Sequence, residues 1–230
     1  MNEFLTGSVF FCVILSLICY EIGLLIRKKT GFLLANPVLI SVLLIVGFLL
    51  LFHVDYEVYE EGTRYMSFFL TPATISLAVP LYRRLELVKK YPAAILGGVL
   101  AGVLTAVVSI FLMSLAFRLT HEQYVTLLPK SVSTALGLGI SEKMGGIVPL
   151  TVVAISISGI GGNIFAELIL KVFRIKEPIA KGLAIGTASH AMGTTKAMEL
   201  GEVEGAMSGL AIVIAGIFTV AAAGLFANFL

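Results

Sequence analysis

One short polar stretch stands out in a chain that is otherwise mostly apolar. It runs from Gly186 to Thr195 (GTASHAMGTT) and carries a single histidine, His190, among glycine and hydroxyl residues. Glycine permits turns that other residues resist, and hydroxyl groups, an imidazole and the amides at a helix N-terminus can all hold an anion. Three roles for His190 fit this pattern: binding a carboxylate, relaying a proton, or donating a structural hydrogen bond.

A second candidate is the segment Leu128–Thr134 (LPKSVST), in which Lys130 stands among hydroxyl residues. A lysine at the centre of a bilayer costs about 2.5–3.5 kcal/mol on insertion scales, and the cost falls when the side chain reaches the interface. Two interpretations therefore stay open. Lys130 either extends to the outer interface or forms an anion site with the neighbouring hydroxyl groups.

Composition determines the kind of element that must position these segments. The chain has 230 residues, of which 58% are hydrophobic and 13% are charged, and its mean hydropathy is +1.03. A soluble domain carries about 25% charged residues, so this composition indicates an integral membrane protein. In such a protein the net charge of +2 carries no information about nucleic acid, and no nucleic-acid partner is expected. Cys12 and Cys19, seven residues apart on one helix, lie beyond disulfide reach.

Apolar runs near the length of a membrane-spanning helix recur along the chain. The predicted spans are Phe4–Ile26, Leu33–Phe52, Met66–Tyr82, Ala93–Phe117, Ile147–Leu170 and Gly205–Phe229. The third is short and contains Pro72 and Pro80, which predicts a broken helix. Segments 123–146 and 178–200 are rich in Gly, Ser and Thr and carry charges, so they are predicted to be re-entrant elements.

The charges of the loops predict the orientation, because cytoplasmic loops are enriched in Lys and Arg. Basic clusters predict cytoplasmic loops at residues 27–29, 83–90 and 171–176. The acidic loop 53–64 is placed outside, as are both termini. Segment 123–146 then enters from the outside and segment 178–200 from the cytoplasm. The predicted fold is an all-α integral membrane protein with about six transmembrane helices plus two re-entrant, broken-helix elements, in a single domain of residues 1–230.

An inverted internal repeat is a further hypothesis, with candidate copies 123–172 and 178–230. The copies share S-x-x-M-G and A-I-x-I-x-G-I, which occur at Ser141–Gly145 and Ser189–Gly193, and at Ala154–Ile160 and Ala211–Ile217. Inverted repeats of this kind occur in many secondary transporters. Short matches in an apolar chain also arise by chance.

A Gly/Ser/Thr-rich break at membrane depth has two explanations. Irregular backbone is tolerated there where it lines a cavity, and small residues also allow close helix packing. The sequence has no GxSxG motif, no spacing typical of metal ligands and no nucleotide-binding glycine motif. The chain is therefore not expected to be an enzyme, and no metal or cofactor is expected.

The acidic residues near the predicted elements are assigned to ion pairs or to solvent-exposed positions. Glu167 is predicted to pair with Lys171 four residues later, with the bundle interior as the alternative location. An aqueous connection is predicted for Glu199, Glu202 and Glu204.

Four stretches resemble the LrgB/CidB family of antiholin-like membrane proteins, and the resemblance covers nearly the whole chain. They are Thr71–Tyr82, Leu128–Thr134, Gly182–Thr194 and Glu202–Leu210. The resemblance implies a small LrgA/CidA-type membrane protein as partner and a role in regulating murein hydrolase activity and lysis. It also implies transport of a small monocarboxylate, since members are described as pyruvate transporters and a plastid relative as a glycolate/glycerate translocator.

The chain departs from the family pattern P-K-S-V-T-T-P at Ser133 and Ala135, and Thr195 stands where a smaller residue is common. These departures concern substrate identity more than fold.

The predicted function is a transporter or facilitator of a small monocarboxylate in the cell membrane, linked to murein hydrolase control. The alternative is a holin/antiholin-like pore or lysis regulator without specific transport. A homo-oligomer is expected. The predicted substrate-binding residues are Pro72, Thr74, Pro129, Lys130, Ser131, Ser133, Thr134, Thr187, Ser189, His190, Gly193, Thr194 and Thr195.

Overall fold

The computed structural model describes residues 9–31, 35–69, 72, 75–76 and 78–230. Over these residues the regular secondary structure is helical and contains no strand. The chain divides into two compact units, residues 1–76 and residues 77–230. The prediction of an all-α membrane protein is confirmed, and whether the chain behaves as a single domain stays a prediction.

The first unit is built on two antiparallel helices and a third that packs on the first of them. Its helices are α1 (Val9–Thr30), α2 (Pro37–Leu51) and α3 (Tyr56–Phe68). The side chain of Asn36 caps α2 by accepting hydrogen bonds from the amides of Val38 and Leu39. Gly23 lies against Pro37, and the ring of Phe11 lies 6.1 Å from that of Phe48, so α1 and α2 run in opposite directions.

The prediction that residues 53–64 form a loop is wrong for most of this range, because α3 begins at Tyr56. The helix forms because one of its faces packs on α1. Tyr59 and Ser16 share a hydrogen bond of 2.7 Å between their hydroxyl groups, and Gly62 lies against the Cys12 thiol. Cys12 and Cys19 are buried free thiols, as their spacing predicted.

The second unit contains the remaining helices. They are α4 (Ala78–Arg83), α5 (Leu85–Lys90), α6 (Pro92–Phe117), α7 (His121–Leu127), α8 (Thr134–Lys143), α9 (Val148–Val172), α10 (Pro178–Leu200) and α11 (Glu202–Phe226), followed by a 3-10 turn at Ala227–Phe229. The predicted broken helix Met66–Tyr82 lies partly outside the described residues, as do the first residues of the predicted spans Phe4–Ile26 and Leu33–Phe52.

Among the described residues, four helices are long and apolar enough to cross a membrane. They are Phe10–Thr30, Pro92–Phe117, Val148–Val172 and Glu202–Phe229. Helix α2 is apolar but has only 15 residues, a rise of about 22 Å against a hydrocarbon core of about 30 Å. The number of crossings and the side on which each terminus lies stay predictions.

Helices α7 and α8 form a helical hairpin, called hairpin 1 (residues 121–146). A Cβ on Gly137 in α8 would lie 3.5 Å from the carbonyl oxygen of Pro129, which follows α7. At the open end, the amide of Ile147 donates a 2.8 Å hydrogen bond to Oγ1 of Thr126. The two ends of hairpin 1 therefore lie close together, and the chain reverses its direction between them.

Helix α10 is also a hairpin, called hairpin 2 (residues 178–200), because its backbone leaves helical geometry at His190 (φ 42°, ψ −138°). A Cβ on Gly193 would lie 3.0 Å from the carbonyl oxygen of Ile185. Eight residues of straight helix would separate these positions by about 12 Å. The direction of the chain therefore reverses at His190, and the two arms lie side by side.

The two hairpins open at opposite ends of α11. The Tyr124 hydroxyl in hairpin 1 donates a 2.9 Å hydrogen bond to the carbonyl of Phe226, the last residue of α11. In hairpin 2, Nζ of Lys181 lies 3.8 Å from Oε1 of Glu204, near the first residue of α11. The 25 residues of α11 span about 37 Å. The open ends of the two hairpins therefore lie at opposite ends of α11, and the side of the membrane from which each hairpin enters stays a prediction.

The internal repeat stays a prediction. Each hairpin is followed by a long helix, α9 or α11, as the hypothesis requires. The shared motif S-x-x-M-G, however, falls at different places: Ser141 lies at the open end of hairpin 1, whereas Ser189 lies at the turn of hairpin 2. That motif does not mark equivalent positions.

Candidate functional site

A cavity of about 940 Å³ lies in the second unit, between α6, α9, the first arm of hairpin 2 and the turn of hairpin 1. Small residues at every fourth position leave the space open on two sides. On α6 they are Ala94, Gly98, Gly102 and Ala106, and on hairpin 2 they are Ala180, Ala184 and Ala188. Residues four apart share one helix face, so each wall is a continuous strip without bulky side chains.

The cavity has a mouth and an inner end. Helix α6 and the first arm of hairpin 2 run in the same direction, because Gly98 lies beside Leu183 and Gly102 beside Thr187. The mouth is formed by Tyr91 and Glu177, which directly precede the first residues of these two helices. From residue 177 to residue 189 the first arm rises about 18 Å, which gives the depth of the cavity.

Polar groups are concentrated at the inner end. Lys130 and Ser131 come from the turn of hairpin 1, Ser189 comes from the turn of hairpin 2, and Ser158 comes from the middle of α9. Nζ of Lys130 donates a 3.1 Å hydrogen bond to Oγ of Ser131. Over the described part of the chain, Lys130 forms no ion pair with a carboxylate. A half-buried ammonium group flanked by hydroxyls is suited to binding one negative charge.

Thr187 adds a polar group that the protein itself does not satisfy. The residue belongs to the cavity wall and is only 6% exposed, and its hydroxyl has no hydrogen-bond partner among the described residues. An unpaired buried hydroxyl costs about 1–3 kcal/mol, so such groups call for a specific explanation such as a water molecule or a ligand.

His190 lies behind the cavity rather than on its wall. Its side chain is buried, and its Nε2–H donates a 3.2 Å hydrogen bond to the carbonyl oxygen of Ile155 in α9. Gly159 gives the ring room, since a Cβ there would lie 2.8 Å from it. Of the three roles that the sequence left open for His190, the structural hydrogen bond is the one present. The imidazole fastens the turn of hairpin 2 to α9.

Three other predicted site residues of hairpin 2 make packing contacts and hydrogen bonds within the protein. Gly193 packs between the arms of hairpin 2, and Thr194 bonds with Ser208 of α11 (2.8 Å) and with the His190 carbonyl (3.0 Å). Thr195 donates to the Met192 carbonyl (2.8 Å). None of these three lines the cavity.

In hairpin 1, Pro129 is fully buried, Ser133 precedes the first residue of α8, and Thr134 is exposed. Pro72 belongs to the first unit, and Thr74 lies outside the described residues. The structure therefore brings together four of the predicted residues in one cavity: Lys130, Ser131, Thr187 and Ser189.

Charged residues on the returning arm of hairpin 2 were missed at the level of sequence. Lys196 is buried and forms ion pairs with Glu167 of α9 and with Glu199 (2.9 Å). The predicted partner of Glu167, Lys171, forms no ion pair within the described residues. Ion pairs between distant segments leave no periodic signal in the sequence, so only the fold reveals them.

The structure also shows the contacts of other acidic residues. Glu204 is buried beside Lys181, so the aqueous position predicted for it is wrong. Glu202 pairs with Arg84 at 2.8 Å on the half-exposed surface. Asn163, one turn before Glu167 on the same face of α9, donates to the Met192 carbonyl (2.7 Å). This shared face was the one local signal that could have predicted a polar contact between α9 and hairpin 2.

Ile155 connects the two hairpins. Its carbonyl accepts the His190 hydrogen bond, and its side-chain terminus lies over Gly137 of hairpin 1. The described residues contain no group of three or more His, Cys, Asp or Glu side chains able to hold a metal ion. The candidate site is therefore a cavity, lined by one lysine and several hydroxyl groups, where the turns of two opposed hairpins approach each other.

Comparisons of the sequence with known proteins point to one family. A sequence profile of the LrgB-like family matches residues 16–229. The chain is 38% identical over 226 residues to the antiholin-like protein LrgB of Bacillus cereus (strain B4264), with 98% of each chain covered. The same values hold for the antiholin-like protein LrgB of Bacillus anthracis (strain CDC 684 / NRRL 3495). None of the solved structures matches the chain. From its profile match and its relatives, this membrane protein belongs to the LrgB-like family.

Proposed function

We propose that this protein carries a small monocarboxylate, such as pyruvate, glycolate or glycerate, across the cell membrane. One observation carries the proposal: Lys130 and Ser131 from one hairpin and Ser189 from the opposed hairpin line the same cavity. Opposed broken helices that supply polar groups to one central site are typical of secondary transporters. The geometry supports a carrier in which the anion binds between the two turns.

The charge of the cavity favours a monoanion. Lys130 supplies one ammonium group with no carboxylate partner among the described residues, and the hydroxyls of Ser131, Ser158 and Ser189 add neutral hydrogen-bonding groups. Glu177 at the mouth is exposed and carries the opposite charge. A single half-buried cation compensates one negative charge, and a dianion would keep a second charge without a partner.

The names of the relatives favour a second role. Both are called antiholin-like proteins, so we propose that transport is linked to the control of murein hydrolase activity and lysis. The proposal includes a small LrgA/CidA-type membrane protein as partner, a homo-oligomeric assembly, and both termini outside the cell. The competing candidate is a pore or lysis regulator without specific transport.

Uptake of radiolabelled pyruvate and glycolate into proteoliposomes, with and without an LrgA-type partner, tests the carrier. We expect saturable uptake by the wild type and a fall of at least about tenfold in Lys130→Met. A hydrogen bond to a charged group contributes about 1.5–3 kcal/mol, and 1.4 kcal/mol corresponds to a factor of ten. The matched control is Lys143→Met, an exposed lysine at the end of α8 in the same hairpin.

The two candidate functions give opposite results in this assay. A carrier shows uptake that saturates, is inhibited by unlabelled substrate and distinguishes Lys130→Met from Lys143→Met. A pore shows leak of any small solute, proportional to concentration and equal in the two variants. The second result would overturn the carrier proposal.

A further inference from the structure

The cavity is much larger than a three-carbon acid requires. Cavities of about 300–1,000 Å³ hold ligands of drug size, and this one has a volume of about 940 Å³ and a depth of about 18 Å. A pyruvate-sized anion bound to Lys130 would occupy only the inner end. The remaining length, from the inner end to the mouth, is left for a larger part of a ligand or for water.

Polarity changes along this length. The inner end carries Lys130, Ser131 and Ser189, whereas the wall nearer the mouth is formed by Ala94, Gly98 and Leu183, with Ile179 and Ala184 on the same arm as Leu183. Water gains little from such a wall, and hydrocarbon groups are stabilised by it. A ligand that matches both parts has one anionic end and one short apolar end.

We propose that the site binds monocarboxylates with an aliphatic chain of about four to six carbons more tightly than two- or three-carbon acids. The carboxylate pairs with Lys130 at the inner end, and the chain lies along Gly98, Leu183 and Ala184 toward the mouth. The inference rests on the proposed anion site and specifies the class of acid that fills it.

Burial of one methylene contributes about 0.8 kcal/mol, which corresponds to about a fourfold change in Kd. The series propionate, butyrate, pentanoate and hexanoate should therefore bind with Kd values that fall about three- to fourfold at each step. Alkylammonium ions of the same lengths should not bind, because Lys130 repels them.

The test is isothermal titration calorimetry on the purified full-length protein in detergent with these four acids and the matching alkylammonium salts. Gly98→Leu places a side chain in the apolar part of the cavity without a backbone clash, since a Cβ there would meet only the end of Leu183, at 3.7 Å. The matched control is Gly97→Leu, which makes the same change one residue earlier, where a Cβ has open space and faces away from the cavity.

Three results are expected together. Wild type and Gly97→Leu show the fall in Kd with chain length, Gly98→Leu keeps propionate binding but loses at least about tenfold for hexanoate, and Lys130→Met loses every member of the series. A Kd that is flat or rises with chain length in the wild type would overturn the inference, as would equal behaviour of the two glycine variants. Should Gly98→Leu fail to fold, the wild-type series alone still decides.

Failure of this inference is distinguishable from failure of the proposed function. A flat series with saturable pyruvate uptake would leave the carrier standing and assign the outer part of the cavity to water. A steep series without uptake in proteoliposomes would keep the ligand class and remove the transport function.

Discussion

The two hairpins have the same shape but achieve it with different chemistry. Hairpin 1 turns through a non-helical stretch at residues 128–133, in which Pro129 interrupts the helix. Hairpin 2 turns at one residue, His190, whose positive φ lies in a region that residues other than glycine rarely adopt. A loop can vary in conformation, whereas a single-residue reversal requires every neighbouring contact to be correct.

Their open ends differ in the same way. Hairpin 1 is closed by neutral groups: Thr126 accepts from the Ile147 amide, and the Thr151 hydroxyl lies 2.6 Å from that of Ser141. Hairpin 2 is held by ion pairs, Lys181 with Glu204 and Lys196 with Glu167 and Glu199. Because their closures differ, the two hairpins should respond differently to small residues, to backbone strain and to salt.

The largest expected effect comes from adding one methyl group at a hairpin glycine. In Gly186→Ala the new Cβ would lie 2.8 Å from the Cα of Ser208, a backbone atom that can move only with α11. In Gly137→Ala it meets the end of the Ile155 side chain, which can rotate away. We expect a loss in the free energy of unfolding of about 3 kcal/mol for the first and under about 1 kcal/mol for the second.

Thermal unfolding in detergent measures both variants, with Gly139→Ala as the control because its Cβ would have open space. That control should be neutral or stabilising by about 0.5–1 kcal/mol, since alanine favours the helix. Equal losses for Gly186→Ala and Gly137→Ala would show that hairpin 2 is no more tightly constrained than hairpin 1.

The next effect concerns the reversal at His190. Both His190→Ala and His190→Gly lose the hydrogen bond to Ile155, but only alanine keeps a Cβ at a φ of 42°. Backbone strain of this kind costs about 1–3 kcal/mol, so the glycine variant should be more stable than the alanine variant by at least about 1 kcal/mol. Thermal unfolding of the pair checks this, and an alanine variant as stable as the glycine variant would contradict the assigned backbone conformation.

The smallest effect is the response to salt. Glu167 and Glu199 are about half exposed, so their ion pairs with Lys196 are screened by solvent and stabilise the fold by less than about 1 kcal/mol. Raising ionic strength from about 0.05 M to about 0.5 M should lower the Tm of the wild type more than that of Lys196→Met. The control is Thr151→Val, which removes the hydrogen bond between the hydroxyls of Thr151 and Ser141 in hairpin 1. This variant should keep the salt response of the wild type.

Much of this architecture could be predicted from local signals. Pro129 and the Gly/Ser/Thr-rich segment around His190 mark the two breaks, because proline and glycine act on their own backbone. The alternating charges of the loops predicted hairpins that open toward opposite sides, and the open ends of the hairpins lie at opposite ends of α11. These signals require no knowledge of which segments touch.

The remainder depends on contacts between distant segments. The sequence could not show that Ser189 faces the cavity while His190, its neighbour, points to α9, because that choice depends on the angle of the turn. The pairing of Lys196 with Glu167 has the same origin. The sequence indicates a loop at α3 because the helix carries three glutamates and its packing positions, Tyr59 and Gly62 among them, form no long apolar run.

The position of Ile155 has a consequence for motion. Its main-chain carbonyl accepts the hydrogen bond from His190, and the end of its side chain covers Gly137. A single residue of α9 therefore touches both hairpins. A hairpin that moved alone would break one of these contacts and leave a buried gap or an unpaired imidazole. In the proposed carrier, we therefore expect the two hairpins and α9 to move as one rigid body rather than as two independent gates.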